Sequence, residues 1–169
     1  MRYRFLTLLS TLMFFNQNLS ADPLEIGAKI PAIQATVDSG EAIELSGLVD
    51  EEYVLVFFYP KANTPGCTKQ ACSLRDAYEV LMGKGVSVFG VSKDSVNAQS
   101  SFKQKYKLPF SLIADTQSKV INGFGVPKKL GFASRQAFLF KKGSLVWRDL
   151  AASTAKQADD VLTFLEESE

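Results

Sequence analysis

Histidine is absent from this chain of 169 residues. That absence removes Ser-His-Asp and Cys-His catalysis, together with most zinc and haem sites. Cysteine occurs only twice, at Cys67 and Cys72, so a four-thiolate metal site is excluded too, and neither a metal nor another cofactor is expected. The apolar stretch from Phe5 to Phe15 falls well short of the roughly 20 residues needed to span a bilayer. Charge of one sign is lacking as well, with 19 Lys and Arg against 18 Asp and Glu. Without Arg2 and Arg4, the 17 basic residues left from 22 onward face all 18 acidic ones, a net charge of −1. That balance suggests neither a nucleic acid nor an anionic membrane as a partner. Internal repeats, low-complexity tracts and linkers are also missing.

What is present falls into two parts. Arg2 and Arg4 precede the apolar stretch, and Asn16-Gln17-Asn18-Leu19-Ser20-Ala21 supplies a polar region ending on a small residue. Residues 1–21 therefore read as a secretory signal cleaved after Ala21, which places the protein in an exported, extracytoplasmic compartment. No cysteine lies near that site, so lipidation there is excluded; an uncleaved amphipathic N-terminus is the competing reading. Residues 22–169 are long enough for one domain with a full-sized core.

Within that domain, Tyr53-Val54-Leu55-Val56-Phe57-Phe58-Tyr59 is too continuously apolar for a half-exposed strand and predicts a central strand buried on both faces. Both cysteines follow it directly, at the strand end where open α/β sheets place their ligands. Thr64 followed by Pro65 marks a helix start, with a hydroxyl to cap the first turn and a proline where a missing N–H costs nothing. Cys67 then falls inside the first turn, where unpaired N–H groups and the helix dipole favour the thiolate. Ala71, Leu74, Tyr78, Leu81 and Met82 continue at helical spacing until Gly83 and Gly85, predicting one helix of about four turns. Cys72 lies five residues after Cys67, a rise of about 7.5 Å in an intact helix. A disulfide needs Cα atoms within roughly 7 Å, so if the two thiols react with each other the first turns must open.

At this point the sequence resembles the peroxiredoxin family. Pro60-x-x-x-Thr64-x-x-Cys67 matches its active-site pattern, and the string Tyr59 to Thr68 with Cys72 is similar to the PrxQ or bacterioferritin-comigratory-protein branch, of AhpC/TSA-like type. The likeness continues through Ser73-Leu74-Arg75-Asp76, Gly90 to Ser95, Leu108-Pro109-Phe110, Phe124-Gly125-Val126 and Arg135, and covers about residues 24 to 167. It implies a thiol-dependent peroxidase that reduces hydrogen peroxide and organic hydroperoxides. Cys67 would be the peroxidatic nucleophile and Cys72 the resolving thiol in an intramolecular disulfide. Thr64 and Arg135 would hold the peroxide, with Pro60 shielding the pocket and Gly66 beside it in substrate binding. It further implies a thioredoxin-like or other dithiol reductant as partner, a monomer, and an antioxidant role. Gln99 and Gln136 depart from the family pattern, and both are expected to lie away from the chemistry.

The remaining segments predict a thioredoxin-like α/β fold, a mixed central sheet flanked by helices. An N-terminal β-hairpin spans Ile26 to Leu45, a second buried strand Val86 to Val91, a helix 95–106 and an extended segment Phe110 to Ala114. A short helix covers Gln117 to Phe124, and a second hairpin turns at Lys142-Gly143. Ala155, Ala158, Val161, Leu162 and Leu165 line a closing helix, Trp147 and most Phe are assigned to the core, and Arg75 is read as a surface ion pair with Asp76 or Glu79. Two other classes use the same cysteines: an exported thiol-disulfide oxidoreductase or electron carrier, and a binding module stapled by a static disulfide. The five-residue offset counts against the first, since reductases of thioredoxin type separate their cysteines by two residues. A loop this short gains little from a staple, which counts against the second.

Overall fold

The computed structural model describes residues 22–168, and the expected signal at residues 1–21 lies outside the described residues. In chain order the elements are β1 (Gln34–Thr36), β2 (Ala42–Glu44), a 3₁₀ segment (Leu45–Asp50), β3 (Tyr53–Phe58), α1 (Pro65–Asp76), α2 (Tyr78–Gly83), β4 (Val86–Ser92) and α3 (Val96–Tyr106). There follow β5 (Ser111–Ala114), α4 (Lys119–Gly123), β6 (Lys128–Lys129), β7 (Phe132–Ala133), β8 (Gln136–Lys141), β9 (Ser144–Asp149) and α5 (Gln157–Glu167). The central sheet has the order β5-β4-β3-β8-β9. Strands β3, β4 and β5 run parallel, β8 pairs antiparallel with β3 and β9 antiparallel with β8, giving the mixed sheet of a thioredoxin-like fold.

Strand β3 explains where the core sits. Alternate side chains of a strand point to opposite faces, so Leu55, Phe57 and Tyr59 enter one apolar cluster and Val54, Val56 and Phe58 the other. The first cluster is roofed by Cys67, Ala71 and Leu74 of α1, Phe102 of α3, and Ala158, Val161 and Leu165 of α5. The second is closed by Val120 and Ile121 of α4, by Phe124, and by Ile30, Val37 and Leu45 around the N-terminal hairpin. Each of these large side chains contributes about 1.5–3 kcal/mol by leaving water, which makes β3 the anchor of the whole molecule. Gly90 of β4 lets the sheet carry this load, because a Cβ there would come within 2.7 Å of the Phe57 ring.

The structure corrects the sequence reading in three places. The apolar spacing from Ala71 to Met82 belongs to two helices, because the chain breaks at Ala77 (φ −96°, ψ 3°) and starts again. After the break Leu81 turns into the core, while Met82 is 54% exposed and Val80 is exposed beside it. Ala155 lies ahead of α5 and faces solvent, in a turn where the Ser153 hydroxyl accepts from the N–H groups of Ala155 and Lys156. Trp147 is only half-buried, at the edge strand, its ring 6.3 Å from that of Phe164. The small hairpin of β6 and β7 and the 3₁₀ segment carry too few residues to leave a periodic signal.

Candidate active site

Everything at the candidate site depends on how the chain leaves β3. Thr64 takes extended angles (φ −89°, ψ 151°) and Pro65 opens α1, so Cys67 is the third helical residue. The Thr64 carbonyl accepts the first intrahelical bond, from Thr68 at 2.9 Å. The N–H groups of Gly66 and Cys67 precede that bond and have no acceptor within the helix, which leaves their partial positive charge beside the thiol. Cys67 is 1% exposed, packed in the first apolar cluster, and both cysteines are free thiols.

The Thr64 hydroxyl does not cap the helix as its sequence position suggests. It donates instead to the Lys61 carbonyl at 2.9 Å. With its proton committed there, the oxygen can only accept from any further partner.

Arg135, directly before β8, reaches this helix start from across the sheet. One guanidinium nitrogen lies 3.6 Å from Cys67 Sγ, and the other donates to Gln70 Oε1. Gln70 follows Cys67 by three residues and shares its helix face. It is fully buried and donates from Nε2 to Oε1 of Gln157, the first residue of α5, also fully buried. Gly66 belongs to the same contact, since a Cβ there would sit 3.3 Å from the Arg135 guanidinium. Cys67 Sγ thus lies beside a fixed cation and the N–H donors of the first turn.

A second network fixes the loop between β3 and α1. Asp94 Oδ2 accepts from the Ala62 N–H at 2.8 Å and from the Ser92 hydroxyl at 2.7 Å. Tyr59, fully buried, donates its hydroxyl to Gln99 Oε1, and Gln99 Nε2 bonds both Ser92 Oγ and the Ile113 carbonyl. Burial holds the Tyr59 phenol far above its usual range, so it remains a donor. Gln99 touches neither Cys67, Thr64 nor Arg135, and supports Tyr59, which precedes the half-buried Pro60 in the chain. Gln136 is buried, with its amide donating to the Leu150 carbonyl at 3.3 Å.

Cys72 also lies within α1 and is half-buried. Arg75 is a surface group as expected, bonded to Asp76 at 2.8 Å and to the Tyr106 carbonyl at 2.9 Å. Cys67, Gly66, Thr64 and Arg135 thus come together on one helix start, and Pro60 stands at the head of the same loop. Gln70, Gln157, Asp94, Ser92 and Tyr59 were not singled out from sequence. Gln70 carries a signal in its three-residue spacing from Cys67, and Tyr59, Ser92 and Asp94 lie within the strings that carry the resemblance. Among the described residues no group of acidic, histidine or cysteine side chains is arranged to hold a metal.

The chain has relatives of known kind. The AhpC/TSA family matches residues 26–148. Peroxiredoxin Bcp of Bacillus subtilis is 38% identical over 135 residues, which span 74% of this chain and 85% of that protein. The chloroplastic peroxiredoxin Q of Suaeda salsa is 37% identical over 145 residues, 83% of this chain and 67% of its own length. Among solved structures, peroxidoxin BcpB from Mycobacterium tuberculosis matches with a TM-score of 0.80 at 29% identity, covering 86% of this chain and 99% of that one.

Proposed function

This chain belongs to the AhpC/TSA family as a thiol-dependent peroxidase of the peroxiredoxin kind, and we propose that it reduces hydrogen peroxide and organic hydroperoxides through a Cys67 sulfenic acid and an intramolecular Cys67–Cys72 disulfide. The observation that carries this reading is a buried thiol in the first turn of α1, with Arg135 at 3.6 Å and a second thiol on the same helix.

In the first step the Cys67 thiolate attacks one peroxide oxygen. The S–O bond forms as the O–O bond breaks, sulfur loses two electrons, and the leaving oxygen departs as water or alcohol once protonated. Charge builds on that oxygen, where the guanidinium and first-turn N–H groups can stabilise it. The Thr64 oxygen, restricted to accepting, orients the substrate O–H. In the second step the Cys72 thiolate attacks the sulfenic sulfur, the S–S bond forms as the S–O bond breaks, and the oxygen leaves as hydroxide, which takes a proton from solvent to become water. A thioredoxin-like dithiol then returns two electrons and restores both thiols.

A peroxide-consumption assay with dithiothreitol, run beside a thiol count, tests the reading. Turnover with loss and recovery of two thiols is expected. Thiols that cycle without peroxide loss would leave an oxidoreductase, and a bond that resists mild reductant would leave a static staple.

The second step also makes a structural prediction. Two thiols separated by five residues of regular helix cannot meet, so closing the disulfide must open the first turns of α1. It must then release two straps to α5, the Gln70–Gln157 bond and the Ala158 N–H held by Ser73 Oγ at 3.3 Å. Amide exchange from about Thr64 to Arg75 should therefore be faster in the disulfide form than in the dithiol. Unchanged protection there would contradict the intramolecular disulfide.

Export belongs to the same proposal, resting on the residue pattern from Arg2 to Ala21. Terminal sequencing of the exported fraction should begin at Asp22, and cytosolic protein starting at Met1 would reject it. Among the described residues no helix is long and apolar enough to cross a membrane.

A further inference from the structure

Gln157 stands far from Cys67 in sequence, yet hydrogen bonds link them through two residues. Arg135 offers only donors, so Gln70 must present its carbonyl oxygen to the guanidinium. That choice turns the Gln70 amide nitrogen toward α5, where Gln157 must answer with its own oxygen. Reversing either amide would set two donors against each other. The chain Arg135–Gln70–Gln157 therefore has a single sense, imposed from the cation outward.

One consequence is visible at its far end. Among the described residues Gln157 Nε2 is buried with no hydrogen-bond partner. An unpaired buried donor is destabilising, and a methionine would remove this one only by leaving the Gln70 amide nitrogen, also fully buried, without its acceptor. The amide at this position therefore serves the acceptor that faces Gln70, at the cost of its own unpaired donor. Both glutamines are neutral, so along this relay no anion competes with the Cys67 thiolate for the guanidinium charge.

We propose that Gln157 is a positioning residue for the peroxide reaction, acting through Gln70 to hold Arg135 on Cys67. The proposal rests on the peroxidase reading above and extends its site to the start of the C-terminal helix. With the Gln157 oxygen gone, Gln70 loses the contact that fixes its amide, and rotating it would turn a donor toward Arg135. The guanidinium would then leave the line to Cys67 Sγ.

Stopped-flow oxidation of the reduced protein by hydrogen peroxide tests this, beside thermal melts. Gln157→Met should slow Cys67 oxidation about five- to tenfold, the weight of one net hydrogen bond, while the melting temperature falls by only about a few degrees. Gln157→Glu keeps an acceptor oxygen at the same reach, full burial favours its uncharged carboxyl, and the rate should return to within about threefold of wild type. In a Gln70→Met background, Gln157→Met should have no further effect, because its influence passes through Gln70. A Gln157→Met protein that reacts at the wild-type rate would overturn the proposal. So would a glutamate variant as slow as the methionine one, or an equal loss in the Gln70→Met background. Wild-type protein inert to peroxide would remove the peroxidase reading itself, and this proposal with it.

Discussion

Replacing Cys67 by serine should reduce peroxide consumption to that of the buffer control, whereas Cys72→Ser should consume one equivalent and stop as a sulfenic acid. The two thiols share one helix, but position divides their roles. Cys67 is the third residue of α1, 1% exposed and 3.6 Å from a guanidinium nitrogen. Cys72 lies a turn and a half further along, where the field of the helix start has largely faded. A serine hydroxyl at position 67 neither ionises near neutral pH nor forms the S–O bond on which the cycle depends. At position 72 the same change spares the first step and removes the only thiol able to complete the second, since the chain has no third cysteine. Mass spectrometry of each variant after one equivalent of peroxide, with a single-turnover rate, measures both outcomes. Equal loss of single-turnover reactivity in the two variants would contradict this division of labour.

The parts of this site legible in the sequence are those written locally. An uninterrupted apolar strand, a Thr-Pro helix start and the position of Cys67 follow from neighbouring residues, and the structure has each of them. The helix break at Ala77 left no proline and no glycine to mark it, so the apolar spacing ran through it unseen. The Thr64 hydroxyl was misassigned because a capping position offers more than one acceptor, and here the Lys61 carbonyl takes the proton. Gln70, Gln157 and Asp94 were missed for a different reason. Their partners lie 65, 87 and 32 residues away, and pairing at such distances is created by the fold. Arg135 was found only through resemblance; as an isolated residue before a strand it looks like any exposed cation.

The expected result for Arg135→Lys separates charge from geometry, which the resemblance does not. A lysine of suitable reach would still place a cation near Cys67 and favour the thiolate. It cannot reproduce the planar fork that bonds Gln70 with one arm and directs the other at the sulfur. If the fork acts on the transition state, the midpoint of the pH–rate curve for Cys67 oxidation should move by less than about one unit. The limiting rate at high pH should nevertheless fall by about 10² or more, the typical cost of one lost preorganised donor. Charge alone could not give that result, since a one-unit change in thiolate ionisation alters the reactive fraction by at most about tenfold and leaves the high-pH limit untouched. Stopped-flow oxidation across pH measures midpoint and limit in one experiment. A rate loss fully explained by the altered ionisation would show that Arg135 acts as a charge only, and a variant with neither change would remove it from the site.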